Sequence, residues 1–138
     1  NAGNYLSIIN FMNYKIGLTI CYDLRFPELY SAYSKECDIV INIANWPKKR
    51  IDHWNTLLKA RSIENQIFII GVNRTGIDGN NLEYQESSNI FDANGDEVKF
   101  EAKENMKIYN ISKEFTYEFK NKFNTTNDRK VELYKEII

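Results

Sequence analysis

The stretch Lys15-Ile-Gly-Leu-Thr-Ile-Cys-Tyr-Asp-Leu-Arg-Phe-Pro-Glu28 changes character at its middle. Its first half is apolar and β-branched and reads as a buried strand. Its second half is a short polar turn. Pro27 then suits the first turn of a helix, because its φ is already helical and its missing N–H has no intrahelical acceptor to lose there. Cys21 falls at the join, as the last residue of the strand. In an open α/β sheet that edge is where ligands bind, and amides at a helix start favour negative charge. The duller reading of a cysteine beside Ile20 is a small buried hydrophobe. The polar run Tyr22-Asp23-Leu24-Arg25 argues against it. Cys37 lies between a helix and a strand, has no such context, and keeps the duller reading.

Working outward, Tyr5 to Met12 is rich in Tyr, Ile and Phe. With Asn13-Tyr14 as a turn it forms a hairpin with Lys15 to Ile20. The helix opened by Pro27 runs to about Lys35. Asp38 to Ile43 is nearly continuous in apolar residues, as in a strand buried on both faces. It ends in Ala44-Asn45-Trp46-Pro47, where the proline stops the ladder. After the basic loop Lys48-Lys49-Arg50, Asp52 suits the N-cap of a helix from His53 to about Gln66. Ile67 to Val72 is another β-branched strand, closing in Asn73-Arg74. Strands alternating with helices predict an α/β fold of βαβ units, with helices on one face of the sheet.

After Gly76 the texture changes to a loop over Ile77 to Asn81. Glu83 to Asp92 and Glu97 to Phe100 flank an Asn94-Gly95 turn signal and predict a hairpin. Met106 to Ile111 reads as a further strand. Ser112 caps a helix carrying Phe115, Phe119 and Phe123, anchored on the body or on another subunit. Asn124 to Asn127 is a break, and Val131 to Ile138 a short terminal segment.

A chain of 138 residues with 43% hydrophobic and 27% charged residues has the composition of one globular domain. A formal net charge of -1 argues against a nucleic-acid surface, which needs a basic excess. No apolar run is long enough to span a bilayer, so no membrane role is expected. Two cysteines imply no disulfide framework and fit a cytoplasmic setting. The chain opens on Asn1, and Asn1 to Tyr5 reads as a loop leading into a strand.

A nucleophilic cysteine needs a base. The single histidine, His53, sits beside Asp52 in the first turn of a helix, where solvated or capping roles are usual. That weakens both Cys-His and Ser-His-Asp schemes. The two cysteines are too far apart for a CxxC redox centre or a cysteine metal site. No metal and no cofactor is implied. The base for Cys21 is then a carboxylate or a lysine, and spacing alone identifies neither.

The stretch from Ile16 to Glu28 resembles the nucleophile motif of the nitrilase superfamily of carbon-nitrogen hydrolases. The resemblance continues in order through Ala44-Asn-Trp-Pro47, Trp54, Leu57 to Gln66 and Gly71-Val-Asn-Arg74. Fainter matches are Ser88-x-Ile-x-Asp92 with Gly95, and Asp128-Arg129. Asn45-Trp-Pro47 with Ile63-Glu-Asn-Gln66 most resembles the omega-amidases, which hydrolyse the side-chain amide of 2-oxo acids. The resemblance implies half of an α-β-β-α sandwich and a Glu-Lys-Cys triad with Cys21 as nucleophile. It implies a thioester, released ammonia and a small-molecule amide substrate. The backbone N–H of Tyr22 would be an oxyanion donor, with the lysine beside it. In the family the Glu and Lys precede the cysteine. Residues 1-138 are therefore expected to be the C-terminal part of a single carbon-nitrogen hydrolase domain. The N-terminal half is absent from this chain, which alone would be inactive. The family habit is a homo-oligomer. Glu86 departs from the family pattern, which usually has glycine there.

Several residues carry two readings. Arg25 either pairs with Glu28 to orient the turn or receives a substrate carboxylate. Asn45 and Trp46 are either turn chemistry with a packing indole, or a pocket wall with an amide contact, which the resemblance supports. Arg61 and Glu64 interrupt the stripe of Trp54, Leu57 and Leu58 and predict a buried, mutually satisfied pair. Lys48-Lys49-Arg50 is a solvated loop able to steer an anion.

Overall fold

The computed structural model describes residues 3–137. Strands β1 (Ser7–Phe11) and β2 (Tyr14–Ile20) form the expected hairpin, followed by a 3-10 turn over Cys21–Arg25 and helix α1 (Pro27–Tyr33). Then come β3 (Ile39–Ala44), α2 (Ile51–Asn65) and β4 (Phe68–Asn73). Beyond these lie β5 (Gly76–Ile77), β6 (Glu83–Tyr84), β7 (Asn89–Phe91), β8 (Phe100–Lys103), β9 (Met106–Tyr109), α3 (Lys113–Lys122) and α4 (Val131–Ile137). Two expectations reach outside the described residues: the loop from Asn1 to Tyr5 at its first two positions, and the terminal segment at Ile138.

Five strands form the main sheet in the order β1-β2-β3-β4-β7. The central three are parallel, and β1 and β7 add antiparallel edges. The register places Ile20 beside Ile43 and Ile43 beside Val72, so the three parallel strands stop together. Helices α1 and α2 cover one face, with Leu24, Tyr30, Val40, Trp54, Leu58 and Ile69 fully buried in that core. Two glycines allow the close approach. A Cβ on Gly17 would strike the Tyr33 ring, and one on Gly71 would strike Leu58 and lie 2.7 Å from Trp54 Cζ2. Polar groups inside this layer bond one another: Asn42 Nδ2 donates to Thr19 Oγ1 (2.9 Å) and to the Tyr30 hydroxyl (3.1 Å).

The opposite face is covered at one end only. Ile16, Ile39, Phe68 and Ile90 cluster there beneath Tyr109 and Ile111, and the Phe115 ring packs at a tilt 6.3 Å from Phe68. Towards the carboxyl ends of the strands the same face is bare: Ile20 is 64% exposed, Ile43 51% and Val72 44%. The expectation that the Asp38 to Ile43 strand is buried on both faces thus fails at Ile43. Isolated folded proteins rarely expose such a contiguous apolar patch.

Several local expectations are corrected. Cys21 is not the last residue of the strand; β2 ends at Ile20 and Cys21 opens the 3-10 turn with φ +45°. Helix α2 starts at Ile51 with Arg50 as N-cap residue, so Asp52 sits in its first turn instead of capping it. The carboxylate still faces the positive end of the helix. The Arg61–Glu64 pair forms at 3.0 Å, yet only Arg61 is buried. Its second acceptor is the Leu24 carbonyl, which takes both Nε (3.1 Å) and an Nη (3.0 Å). Glu83 to Asp92 is not one strand: β6 pairs with β5, and β7 with β4. Asn94-Gly95 does make a turn, with Gly95 at φ +82° and its amide donating to the Asp92 carbonyl at 2.9 Å, but the flanking segments form only an isolated Phe91–Glu97 bridge and not a hairpin ladder. The ladder further on is β8 with β9. Ser112 caps α3 as expected, accepting from the Phe115 amide. Glu86 is accommodated at the surface, where it accepts from Lys107 at 2.8 Å and from the Ser88 amide at 3.1 Å.

Two outcomes follow from this packing. Gly71→Ala drives a methyl into the fully buried Trp54 and Leu58 and is expected to destabilise the fold by about 1–3 kcal/mol, read by denaturant unfolding. Burial pushes the Cys37 thiol from 9.0 up to about 11, and burial pushes the Tyr30 hydroxyl from 10.0 up to about 12. Both groups hold their protons more tightly when folded than when unfolded. The contribution of these two groups to stability is therefore constant below about pH 9 and is lost as pH rises through 9 to 12. Chemical unfolding at stepped alkaline pH measures it.

Candidate active site

The thiol of Cys21 is half-buried at the carboxyl edge of the parallel strands. The turn that carries it is closed by Asp23, whose Oδ2 accepts from the Ile20 amide at 2.9 Å. The Phe26 amide then donates to the Asp23 carbonyl at 3.1 Å. The first amides of a helical turn have no intrahelical acceptor. The Tyr22 N–H, one residue into this turn, has that property, while the Tyr22 ring is exposed and edge-on to Phe26 at 5.3 Å.

Two adjoining cavities meet at Cys21. One, of about 470 Å³, is walled by Ile20, Ile43, Asn45, Val72, Asn73 and Arg74. The other, of about 410 Å³, is walled by Tyr22, Arg25, Trp46, Arg50, Leu82 and Tyr84 among others. Of the residues singled out from the sequence, Cys21, Tyr22, Arg25, Asn45 and Trp46 therefore converge on one place. Among the described residues, three arginines line the two cavities and no Asp or Glu does.

The wall is built from the ends of β3 and β4. Trp46 is buried, packs on Trp54 at 5.4 Å, and donates its indole N–H to the Arg50 carbonyl at 2.7 Å. Both readings of Trp46 hold in part, since it is a packed indole and a wall at once. Arg25 lies over the Trp46 ring at 4.9 Å. Among the described residues it forms no ion pair with Glu28, which removes the structural-pair reading. Arg74 lies over the Tyr84 ring at 4.7 Å. The Tyr84 hydroxyl donates to Asp78 Oδ2 at 2.9 Å, and that bond raises its pKa. Lys48 of the basic loop is tied to Glu83 at 2.7 Å. His53 is exposed on α2 and lines neither cavity.

Sequence reasoning missed Asn73, Arg74, Leu82 and Tyr84 as lining residues. The signal for the first two was available, because they end a parallel strand beside the Cys21 strand. Leu82 and Tyr84 arrive from a loop distant in sequence and carried no signal. Among the described residues no group of three or more His, Cys, Asp or Glu is arranged to hold a metal, and no helix is long and apolar enough to cross a membrane.

The Carbon-nitrogen hydrolase family profile matches residues 3–120. The chain belongs to that family, the nitrilase superfamily. Its sequence relatives include proteins named as omega-amidases. "Omega-amidase YafV" of Yersinia enterocolitica is 43% identical over 95 residues, which is 69% of this chain and 37% of that protein. A "2-oxoglutaramate amidase" of Paenarthrobacter nicotinovorans is 40% identical over 121 residues, 86% of this chain and 40% of that one. Among solved structures, the superfamily protein XC1258 of Xanthomonas campestris, described with an arsenic adduct in its active site, superposes with TM-score 0.79 at 30% identity. The match covers 94% of this chain and 52% of XC1258. An amidase of Nesterenkonia sp. AN1, described with acrylamide added to its active-site cysteine, shares the fold with TM-score 0.78 at 18% identity, over 99% of this chain and 50% of its own. The carbon-nitrogen hydrolase chain thus spans about two-fifths of those two sequence relatives and half of those two structures.

The contrast between the two thiols is directly measurable. Iodoacetamide at neutral pH is expected to label Cys21 and spare Cys37, which is buried and protonated up to about pH 11. Peptide mass mapping reads the site, and Cys21→Ser should abolish the labelling.

Proposed function

We propose that this chain carries the nucleophile half of an amidase site that hydrolyses the amide of a small carboxylic or 2-oxo acid. The observation that carries the reading is the convergence of Cys21, Asn45, Trp46 and three arginines on one cavity edge without an acidic wall. The Cys21 sulfur attacks the amide carbon, and the thiol proton passes by way of a base to the departing nitrogen. The carbon–nitrogen bond breaks, ammonia leaves, and a thioester remains on Cys21. Water then attacks the thioester, giving the free acid and regenerating the thiol.

Each residue here has a role in that sequence. The Tyr22 backbone N–H donates to the oxyanion of the tetrahedral intermediate. Arg25, held flat over Trp46, receives the substrate carboxylate with its planar fork. Asn45 contacts the amide and Trp46 forms the wall. The base, a Glu, and a second oxyanion donor, a Lys, come from a preceding half of the same domain. Two findings support that half: the chain's coverage of about two-fifths of its relatives, and the apolar sheet face left bare beside Cys21. On this reading residues 1–138 alone are inactive. The bare face also favours a second reading, a non-catalytic piece acting through association.

Ammonia release from 2-oxoglutaramate and a panel of other amides, measured on the natural polypeptide that carries this chain, separates the two. Cys21→Ala is expected to reduce turnover by at least about a thousandfold. Full activity in that variant, or no amide turnover by the parent, overturns the catalytic reading. Arg25→Ala should raise KM about tenfold or more for acid amides while leaving a neutral amide such as propionamide little changed.

A further inference from the structure

We propose that Asn73 is a positioning residue that clamps together the two loops walling the Cys21 cavity, so that substrate meets a pocket already assembled. The proposal rests on the amidase reading of that cavity. Asn73 ends β4 and is 7% exposed. Its Oδ1 accepts from the Trp46 amide at 2.7 Å, and its Nδ2 donates to the Trp46 carbonyl at 3.0 Å. One side-chain amide thereby holds both backbone edges of Trp46, as a neighbouring strand would. The second Nδ2 proton goes to Ser87 Oγ at 3.0 Å. The Asn73 backbone continues the contact: its N–H donates to Ser88 Oγ at 3.1 Å, and its carbonyl accepts from that hydroxyl at 3.3 Å.

The two segments joined in this way supply opposite parts of the wall. The first carries Asn45, Trp46 and Pro47; the second leads back from Ser87 to Tyr84 and Leu82. The ladder of the main sheet does not reach either one, since β3 ends at Ala44 and β7 starts only at Asn89; within the second, the short β6 pairs only with β5. Asn73 is a buried side chain that bonds to both; at the exposed rim the Lys48–Glu83 ion pair also joins them at 2.7 Å. Both of its amide protons and its oxygen are engaged, so other residue types fit poorly. Aspartate has no proton to give to the Trp46 carbonyl or Ser87. Alanine leaves the buried Trp46 amide and carbonyl and the Ser87 hydroxyl with a lost partner.

A buried asparagine that only stabilises the fold would loosen the structure broadly. A clamp loosens one place. Amide hydrogen exchange read residue by residue by NMR tells them apart in the natural polypeptide that carries this chain. In Asn73→Ala, exchange at the Trp46 amide is expected to speed up by about tenfold or more. The amides of Val40 and Asn42, in the middle of the parallel ladder, should keep their protection. Kinetically, KM for an acid amide should rise about tenfold with kcat within about threefold. Iodoacetamide labelling of Cys21 should keep its rate, because the thiol turn is closed by Asp23 and not by Asn73. Ser87→Ala removes one of the three side-chain bonds and should shift the Trp46 amide and KM in the same direction by less; it carries the test if Asn73→Ala does not fold. Unchanged exchange at Trp46, or a uniform rise through β3 and β4, overturns the clamp. Absence of amide turnover in the parent protein overturns the amidase reading instead, while the exchange experiment still decides whether Asn73 holds the wall.

Discussion

Three parallel strands that stop in register are the constraint on which this structure depends. The ladder sets Ile20, Ile43 and Val72 side by side. Whatever follows each of them emerges at the same edge. After β2 that is Cys21, after β3 it is Asn45, and β4 ends there with Asn73. Residues far apart in the chain meet because backbone hydrogen bonds admit few registers once one sheet face is buried. The site adds little to this. Asp23 turns the chain sharply after Ile20, and Asn73 holds the Trp46 backbone.

The sheet's two faces are built to different ends. On the helix face, Gly17 and Gly71 remove side chains where Tyr33, Leu58 and Trp54 press in, and Thr19 Oγ1, the Tyr30 hydroxyl and Asn42 Nδ2 bond one another. Arg61 satisfies the Leu24 carbonyl in the Cys21 turn and so links α2 to it. The tail joins the same layer: Arg129 donates to the Glu64 carbonyl at 2.6 Å and to Asn65 Oδ1 at 3.0 Å. On the other face, β9 and α3 cover only the end away from Cys21. The bare end adjoins the Cys21 cavity, so the preceding half proposed above would cover the apolar face and wall that cavity together.

The βαβ core was legible because its signals are local. The β-branched runs, Pro27 at a helix start and Pro47 after a strand end each constrain the backbone within a few residues. The Cys21 position was legible for the same reason, to within one residue. The miss was the turn itself, since no composition cue marks a non-glycine residue at φ +45°. Asp52 misled because Asp is both a good cap and a good first-turn residue, and Arg50 precedes the helix without a capping side chain. The Arg61–Glu64 spacing predicts the pair that forms, but the carboxylate sits at the rim of the helix layer and stays half-exposed while the guanidinium is buried against Leu24. The region after Gly76 was least legible. Strands of two or three residues carry too few side chains to show a period, and β8 and β9 are exposed on most of their length.

The sequence by itself determined the element order of the core, the placement of Cys21 at a strand end, and the family to which the chain belongs, because each is written in short runs whose residues act on their own neighbours. Tertiary structure alone decided which residues share the cavity. It brought Leu82 and Tyr84 against the Cys21 edge, set Arg25 over Trp46 instead of beside Glu28, and made Asn73 the link between two loops. Those contacts join residues tens of positions apart and depend on strand register and helix packing, which no local pattern encodes.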